Sequence, residues 1–459
     1  MLRLTGLLLS LLVVLTLFES ADAQRRRRRW RRARPQPDAA RVVDSEQPQP
    51  TQPTPTPQQQ SGSPRVLEAS NFPGADLGEQ INAADRALGS RPGEIIARGG
   101  GRIATEVVVS AGHTLRLMPG TYAPETKGIP VVLGNGASLV GAGWETILLE
   151  STAPRQFTVV SAQANARRNG DADSGITVRD IQIKGANAGF NSTPQAVSLG
   201  NCTGCTVDHV WLNSTRSIGV QYGGAAHYGN YASNSRVVNC LFTHVASQNL
   251  ALVNGKDITF EDNRFEDPGQ PGGPGSTVID IEPNTPGDRI ENVVIRNNVI
   301  DARNNKIQAG NGIVVQSGAG TKLVGPILVE GNTIYGGNNV GKITNSLAVG
   351  IYAFGRTMKD VTIRNNIVTR TGQSGLRIQG THVTITDNKF TDVGGGGIAG
   401  FFVAVRDSLI ENNSFKYTGS GPASAVVQTA TPFGINNTIR NNPGMVFPAP
   451  APQGQGRKQ

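Results

Sequence analysis

The sequence predicts an all-β chain, a single-stranded right-handed parallel β-helix with an N-terminal capping helix. Three observations carry this. First, one phrase recurs seven times between Asp257 and Gly444, each time placing an asparagine two residues before an apolar residue. It reads Ile-Thr-Phe-Glu-Asp-Asn263-Arg-Phe265, Val-Ile-Arg-Asn-Asn298-Val-Ile300 and Ile-Leu-Val-Glu-Gly-Asn332-Thr-Ile334, and it returns at Asn366, Asn388, Asn413 and Asn442. The asparagines lie 22 to 35 residues apart. A coil of short strands absorbs such insertions in its turns, whereas a helical repeat must hold its period. Second, each phrase opens with β-branched residues at alternate positions, which suits a strand. Third, 57 glycines, only 17% charged and 5% aromatic residues fit a protein of many tight turns.

Taken in order along the chain, residues 1–23 read as a signal peptide. Arg3 precedes the apolar run Leu7 to Phe18, and Ala21-Asp22-Ala23 offers a small-x-small cleavage pattern. The expected location is therefore outside the cytoplasm, periplasmic or extracellular. Residues 24–64 form an Arg-rich and then Pro/Gln-rich linker with no core-forming pattern. Arg25 to Arg29, Arg31, Arg32 and Arg34 account for most of the formal charge of +9. The rest of the mature chain is close to neutral, which argues against a nucleic-acid surface. The run suits attachment to an anionic envelope surface.

The folded domain is expected at 65–445, with a cap and irregular coils at 65–174, regular coils at 175–445, and a disordered tail at 446–459. Gly74 to Leu88 is the one helix, with Asp76 as its cap, Glu79 in its first turn, and Leu77, Ile81, Ala84 and Leu88 as its apolar stripe. Short strands follow at 94–97, 106–109, 114–117, 131–133, 138–140 and 146–149. From Gly175 each coil opens with the asparagine phrase and continues with a second strand after a turn. These second strands are Ser217–Tyr222, Asn249–Val253, Thr277–Glu282, Asn311–Gln316, Val349–Phe354, Ser374–Gln379 and Ala423–Gln428. Aligned on the apolar pairs Ile218/Val220, Leu250/Leu252, Ile279/Ile281, Ile313/Val315, Ile351/Ala353 and Leu376/Ile378, the intervening residues point outward. They form a grid of Gln221, Asp280, Glu282, Gln316, Tyr352, Phe354, Arg377 and Gln379. Amides, acids and aromatics in such a grid suit a sugar chain.

Asp280 and Glu282 are the candidate catalytic pair, consecutive outward acids on one strand, with one able to protonate a glycosidic oxygen while the other activates water. His244, in the turn of the preceding coil, is a third candidate. Gln221, His227 in an inserted loop, Gln316, Tyr352, Arg377 and Gln379 are expected to bind substrate. Cys202-Thr-Gly-Cys205 is a lone C-x-x-C open to a turn disulfide, and Cys240 reads as a small core residue. Asp171 and Asp173 have calcium-like spacing without the full loop pattern and read as a turn. No cofactor is expected, apart from calcium if the protein is a lyase. A monomer is expected.

The opening Gly74-Ala-Asp76-Leu-Gly-Glu-Gln-Ile-Asn-Ala-Ala-Asp85, the Ile-Arg-Asn-Asn phrases and Ile279-Asp-Ile-Glu-Pro-Asn284 resemble the pectate-lyase-like right-handed β-helix superfamily. The resemblance is closest to secreted bacterial proteins related to glycoside hydrolase family 28, and covers roughly residues 66 to 445. It implies a carbohydrate-active protein outside the cytoplasm. The Asn-Thr-Asp, Asp-Asp, Gly-His-Gly and Arg-Ile-Lys blocks of family 28 polygalacturonases are not reproduced, nor is the Asp-Pro-His block of alginate epimerases. Asp208-His209-Val-Trp211 matches a pectate-lyase motif only in scrambled order. No family catalytic residue is carried over. The expected activity is hydrolysis of an acidic polysaccharide. The alternatives are a pectate-lyase-type lyase and a non-catalytic glycan-binding or envelope-associated solenoid.

Deleting Arg25 to Arg34 is expected to lower retention on anionic lipid vesicles at low salt, with the difference vanishing at high salt. Equal sedimentation of the two forms with vesicles at low salt would rule out this role.

Overall fold

The computed structural model describes residues 65–448, except 152–157, 168–170, 186–194, 225–230, 270–276, 306–308, 318–321, 324, 341, 343–345, 356–357, 396, 420, 422 and 431–434. The expected signal peptide, the linker, His227 and most of the 446–459 tail lie outside the described residues.

The described chain is a parallel β-helix of three sheets. Each turn of the coil places one strand, or two consecutive short ones, in a first sheet, one in a second and one in a third, and the strands pair in parallel with their counterparts in the next coil. The second and third sheets hold twelve strands each among the described residues. The core is a stack of aliphatic and aromatic columns. Val293, Ile295, Val329, Ile363 and Ile385 come from the first sheet, and Phe242, Phe265, Ile300, Ile334 and Phe390 from the second. Ile279, Ile313, Ile351, Leu376 and Phe401 complete it from the third, and all are buried. Each such side chain is worth about 1.5–3 kcal/mol of burial.

The corner between the first and second sheets is set by the recurring phrase. The residue before each asparagine adopts left-handed backbone: Asp262 (φ 54°), Asn297 (55°), Asn365 (56°), Asp387 (57°) and Asn412 (57°). Asn, Asp and Gly tolerate that region best, which is why the phrase reads Asp-Asn, Asn-Asn or Gly-Asn. The next asparagine then points inward and is fully buried, and its amide bonds to the asparagine one coil on. Nδ2 of Asn263 donates to Oδ1 of Asn298 at 3.1 Å, Asn298 to Asn332 at 3.0 Å, and Asn332 to Asn366 at 3.0 Å. Asn366 donates to Asn388 at 2.9 Å, Asn388 to Asn413 at 2.8 Å, and Asn413 to Asn442 at 2.9 Å. Each Oδ1 also takes the backbone N–H of the preceding ladder residue, as in Asn332 N to Asn366 Oδ1 at 3.0 Å. Cys240 continues the column one coil earlier, its N–H donating to Asn263 Oδ1 and its Sγ accepting from Val210 N. The expected core role of Cys240 fits this position, and burial pushes its thiol up to about 12.

The helix Leu77–Leu88 closes the first coil and also completes its hydrogen bonds. Asp76 caps it through Gly78 N at 2.7 Å, and Glu79 accepts from Ala75 N. Ile81, Ala84 and Leu88 are buried against the stack. The strand Val107–Val109 is the free edge of the third sheet. Asn82 accepts from Val108 N at 2.9 Å and donates to Glu106 O at 2.7 Å, while Asp85 accepts from Ser110 N at 3.0 Å and meets the buried His113 at 2.7 Å. At the other end, residues 443–446 return to the last coil, where Phe415 N donates to Pro443 O and Val427 N to Val446 O.

Several sequence expectations are corrected. The apolar pair of the coil at Ile218–Tyr222 is Val220 and Tyr222, not Ile218 and Val220. Val220 pairs with Leu250 and Tyr222 with Leu252. Tyr222 points inward because its hydroxyl reaches the Cys205 and Arg236 carbonyls at 3.0 Å each. A third-sheet strand, Phe401–Arg406, lies between Ser374–Thr381 and Val427–Thr429 and was not among the expected strands. Strands Gly101–Ile103 and Gly120–Pro124, in the second sheet, were also not expected. Cys202 and Cys205 form a disulfide.

Replacing Asn366 by leucine leaves the buried Asn332 N–H without its acceptor and removes one of the bonds made by the Asn332 amide, the Asn388 Oδ1 and the Val329 carbonyl. A loss of about 2–4 kcal/mol is expected from urea unfolding. An unchanged midpoint would mean that the ladder contributes nothing to stability.

Candidate functional site

Pairing along the third sheet fixes its outward column. Gln221 pairs with Ala251, Ala251 with Asp280, Asp280 with Val314, Val314 with Tyr352, Tyr352 with Arg377, and Arg377 with Phe402. A second outward column, two residues further along each strand, runs through Gln316 and Phe354, with Glu282 at its start and Gln379 beyond. The alternation of buried Ile279, Ile281, Ile313 and Val315 with these residues follows from the two-residue period of a strand. The structure therefore brings Gln221, Asp280, Glu282, Gln316, Tyr352, Arg377 and Gln379 onto one face. Gln221 falls in the Asp280 column rather than the Glu282 column, as the corrected register requires.

At the centre is a chain of four side chains spanning three coils. Gln248 Nε2 donates to Asp280 Oδ2 at 3.3 Å, the Asp280 and Glu282 carboxyls hydrogen-bond to each other, and Gln316 Nε2 donates to Glu282 Oε1. Ser247 Oγ, bonded to Gln248 Oε1 at 2.6 Å, orients that amide. Asp280 is buried, at 6% exposure, and Glu282 is half-buried. Burial first, and then the Glu282 charge, push the Asp280 carboxyl up to about 8. Burial raises Glu282 as well, opposed by its bonds from Asp280 and Gln316. Asp280 Oδ1 is enclosed with no donor facing it, which, like its burial, favours the protonated acid over the carboxylate. The pair is in contact, closer than the ~5–5.5 Å or ~6.5–9.5 Å separations of two-carboxylate glycosidases. The cause is local. Residues i and i+2 on one strand face are neighbours, and each carboxyl is held by one glutamine of an adjoining coil.

Beyond Val314 the face becomes aromatic. Tyr352 and Phe354 stack at 5.6 Å between centroids, and Phe354 meets Phe402 at 5.9 Å. Burial raises the Tyr352 phenol, with Arg377 opposing. Arg377, half-buried among these rings, donates to Ser374 Oγ at 3.2 Å. Sequence reasoning missed Phe402, which follows the glycine run at Gly394–Gly397, and Gln248, which sits in a corner outside any periodic strand. The one available signal for Phe402 was the apolar run Phe401 to Val405.

His244 occupies a different place. It is exposed, in left-handed backbone (φ 52°) at the corner between the second and third sheets, with Asp267 as its charged neighbour. His209 and His382 hold the equivalent left-handed geometry at other corners. Gln248 is the side chain of that coil that meets Asp280. Asp173 accepts from Ala164 N at the start of the short helix Gln163–Arg167, a turn role.

A closed stack of three parallel sheets presenting one polar and aromatic face defines the class of parallel β-helix proteins. Residues 169–348 and 341–447 match the family described as right handed beta helix region, and the chain belongs to that family. No curated protein sequence matches it. Among solved structures it is similar to the mannuronan C-5 epimerase AlgE4 A-module of Azotobacter vinelandii. That likeness has 16% identity and a TM-score of 0.56, over 83% of this chain and 96% of the other. It is also similar to a double mutant of the tailspike protein of E. coli bacteriophage HK620 (14%, TM-score 0.54, 82% and 71%). A third is the family 28 exopolygalacturonase of Yersinia enterocolitica (12%, TM-score 0.50, 81% and 79%). At these identities the likeness is one of fold.

Because Asp280 is raised, the folded protein holds its proton more tightly than the unfolded chain. The resulting stabilisation is complete below the ordinary carboxyl range and is lost as pH rises through about 8. Glu150, pushed by burial up to about 7, acts in the same direction. Melting temperature should therefore rise as pH falls from 9 to 5, and Asp280→Asn should flatten that slope. An identical slope in the variant would show that the pair does not share a proton.

Proposed function

We propose that this is an exported carbohydrate-active protein that hydrolyses a polysaccharide lying along the third sheet. The carboxyl pair Asp280–Glu282 is its acid and base. The observation that carries this reading is a pair of neighbouring carboxyls, Asp280 buried and Glu282 half-buried, at the centre of a face lined with amides and aromatic rings. A pair in that state can give a proton to the glycosidic oxygen and take one from the attacking water, ending the cycle with one proton again. Water oxygen bonds to the anomeric carbon as the bond to the leaving oxygen breaks. Asp280, the more buried, holds the proton, and Glu282, the more exposed, meets the substrate. Tyr352, Phe354 and Phe402 stack on sugar rings to one side, with Arg377 and Gln379, while Gln221 extends the face on the other. The epimerase and exopolygalacturonase among the similar structures carry names of polysaccharide-acting enzymes, which supports a glycan ligand and leaves the reaction to this site's own chemistry.

Hydrolysis is favoured over elimination. Elimination needs a strong base at a carbon-bound proton and a cation to hold the charge that develops. In the Asp280 column the nearest cation among the described residues is Arg377, three coils away, or about 14 Å. A second reading, glycan binding without cleavage, is favoured by the contact between the two carboxyls, which leaves no room for water between them as they stand.

With a panel of plant, algal and bacterial polysaccharides, release of reducing ends is the expected signal, without the absorbance of unsaturated products. Glu282→Gln should lower turnover by about 10³-fold or more and leave binding within a few-fold, a loss confined to the transition state. Wild-type turnover in both Glu282→Gln and Asp280→Asn on a verified substrate would overturn the site. Retention of a polymer with no cleavage of it would establish the binding reading instead.

A further inference from the structure

A second feature lies at the corner between the first and second sheets, whereas the acid pair sits on the third. Between the strands Ser138–Val140 and Thr146–Leu149 this corner runs from Gly141 to Glu145. The next two coils turn it with Asp180–Ile181 and His209–Val210 alone. The longer corner is laid along the solenoid axis. Gly141 N donates to Arg179 O and Gly143 N to Asp180 O, both at 2.9 Å. The fit requires glycine, since a Cβ on Gly141 would stand 2.0 Å from Asp180 O, and Gly143 has φ 113°.

The insertion sets Trp144 two coils away from its own. Its ring stacks on His209 at 5.0 Å and 29°, its Nε1 donates to His209 O at 3.1 Å, and Trp211 lies 5.6 Å away, tilted by 54°. Trp211 Nε1 is bonded to Thr243 Oγ1 at 2.9 Å. Both indole N–H groups are thus satisfied within the protein, and both rings remain half-exposed. What they offer outward is rigid carbon surface, oriented before any ligand arrives. A polar rim adjoins it, in which His209 Nδ1 meets Asp180 Oδ1 at 2.9 Å and Arg179 pairs with Asp180 Oδ2.

We propose that this corner is a second glycan-binding site, in which Trp144 and Trp211 stack on the C–H faces of pyranose rings while Asp180, Arg179 and His209 bond ring hydroxyls. A pyranose has one apolar face and a hydroxyl edge, and this corner presents the matching pair of surfaces within a few ångströms. Two tilted, partly covered indoles are far too little for a protein partner, which needs about 800 Å² on each side. An acyl chain would meet the ionic rim of Arg179, Asp180 and His209. The corner and the third sheet are different sides of the prism, so a polymer held here is tethered beside the acid pair, not across it.

The chain has three tryptophans, and the third is Trp30. In full-length protein carrying Trp30→Phe, emission therefore reports on this corner alone. Titration with polygalacturonate, mannuronan and a soluble glucan is expected to give a saturable shift in emission with at least one of them. Trp211→Ala should weaken that binding by tenfold or more, Trp211→Phe by only a few-fold, and far-UV circular dichroism should match across the series. Asp280→Asn should leave the shift in place, which separates this site from the acid pair. No shift with any of the three polymers, or equal binding by Trp211→Ala, would overturn the proposal and leave Trp144 as a latch for its own loop. A shift lost in Asp280→Asn would overturn it as well, by assigning the signal to the third sheet.

Discussion

The rest of this structure depends on the buried asparagine ladder. A parallel β-helix has no helical register to keep its coils in phase, and its third-sheet strands are reached through turns of variable length. The corner asparagines supply the missing reference. Each one bonds its amide to the next coil and returns Nδ2 to a backbone carbonyl of the coil before, as Asn366 does to Val329 O at 2.9 Å. A slip of one residue would break several buried hydrogen bonds at once and turn every following side chain to the other face. With the corner fixed, Ile295, Val329 and Ile363 stack inward and the second sheet starts in phase. Asp280 and Glu282 then stand between Gln248 and Gln316 as a consequence of that phase.

The two outer faces treat charge in opposite ways. On the first sheet, acids and bases alternate along the axis. In one column Arg296 pairs with Glu261, Arg364 with Glu330 and Arg440 with Glu411, so that like charges do not stack directly in it. Each exposed pair is worth little by itself, about 0–1 kcal/mol. Their value is to avoid repulsion in a column where strands are only about 4.8 Å apart. The third sheet sets two acids side by side on one strand and supplies amides, not cations, as partners. Such a pair lowers stability at neutral pH, and a stack selected for stability alone would have placed an arginine opposite it. Departure from a local rule, confined to a central strand of one face, is the physical signature of a site.

Reading this fold from sequence succeeded where the chain repeats itself chemically. The ladder asparagines, the helix capped by Asp76 and the outward position of Asp280 and Glu282 were all legible, because period-two alternation and left-handed corner residues leave direct traces. Phe401–Arg406 was not legible because glycines precede it and no polar residue alternates with its apolar ones. The register at Ile218–Tyr222 misled because Ile218 and Val220 satisfy the alternation as well as Val220 and Tyr222 do. Only the buried hydroxyl contacts of Tyr222 decide between them. His244 looked like chemistry because its turn in the preceding coil put it within reach of Asp280, yet it takes a left-handed corner position shared by Asp267 and Asp392. Gln248 was invisible for a different reason, since its function lies in a contact between coils.

Under the proposed hydrolysis, the contact between the two carboxyls would also constrain how a substrate is received. At rest each carboxyl takes a hydrogen bond from one glutamine, so a sugar hydroxyl or water approaching Glu282 would compete with Gln316. Gln316 and Gln248 approach from outside and leave the carboxyl–carboxyl contact as the element a ligand must open. Opening it separates the acids toward the distance at which one can act on the leaving oxygen and the other on water. The cost of that separation falls as the second negative charge is relieved by the proton Asp280 retains. On the proposed reading, stacking on Tyr352, Phe354 and Phe402 would supply binding energy remote from the bond to be broken, which can be spent on rearranging the reacting centre. The aromatic strip and the proton-sharing pair are in this sense one device, and the ladder that fixes the register is what keeps the two in line.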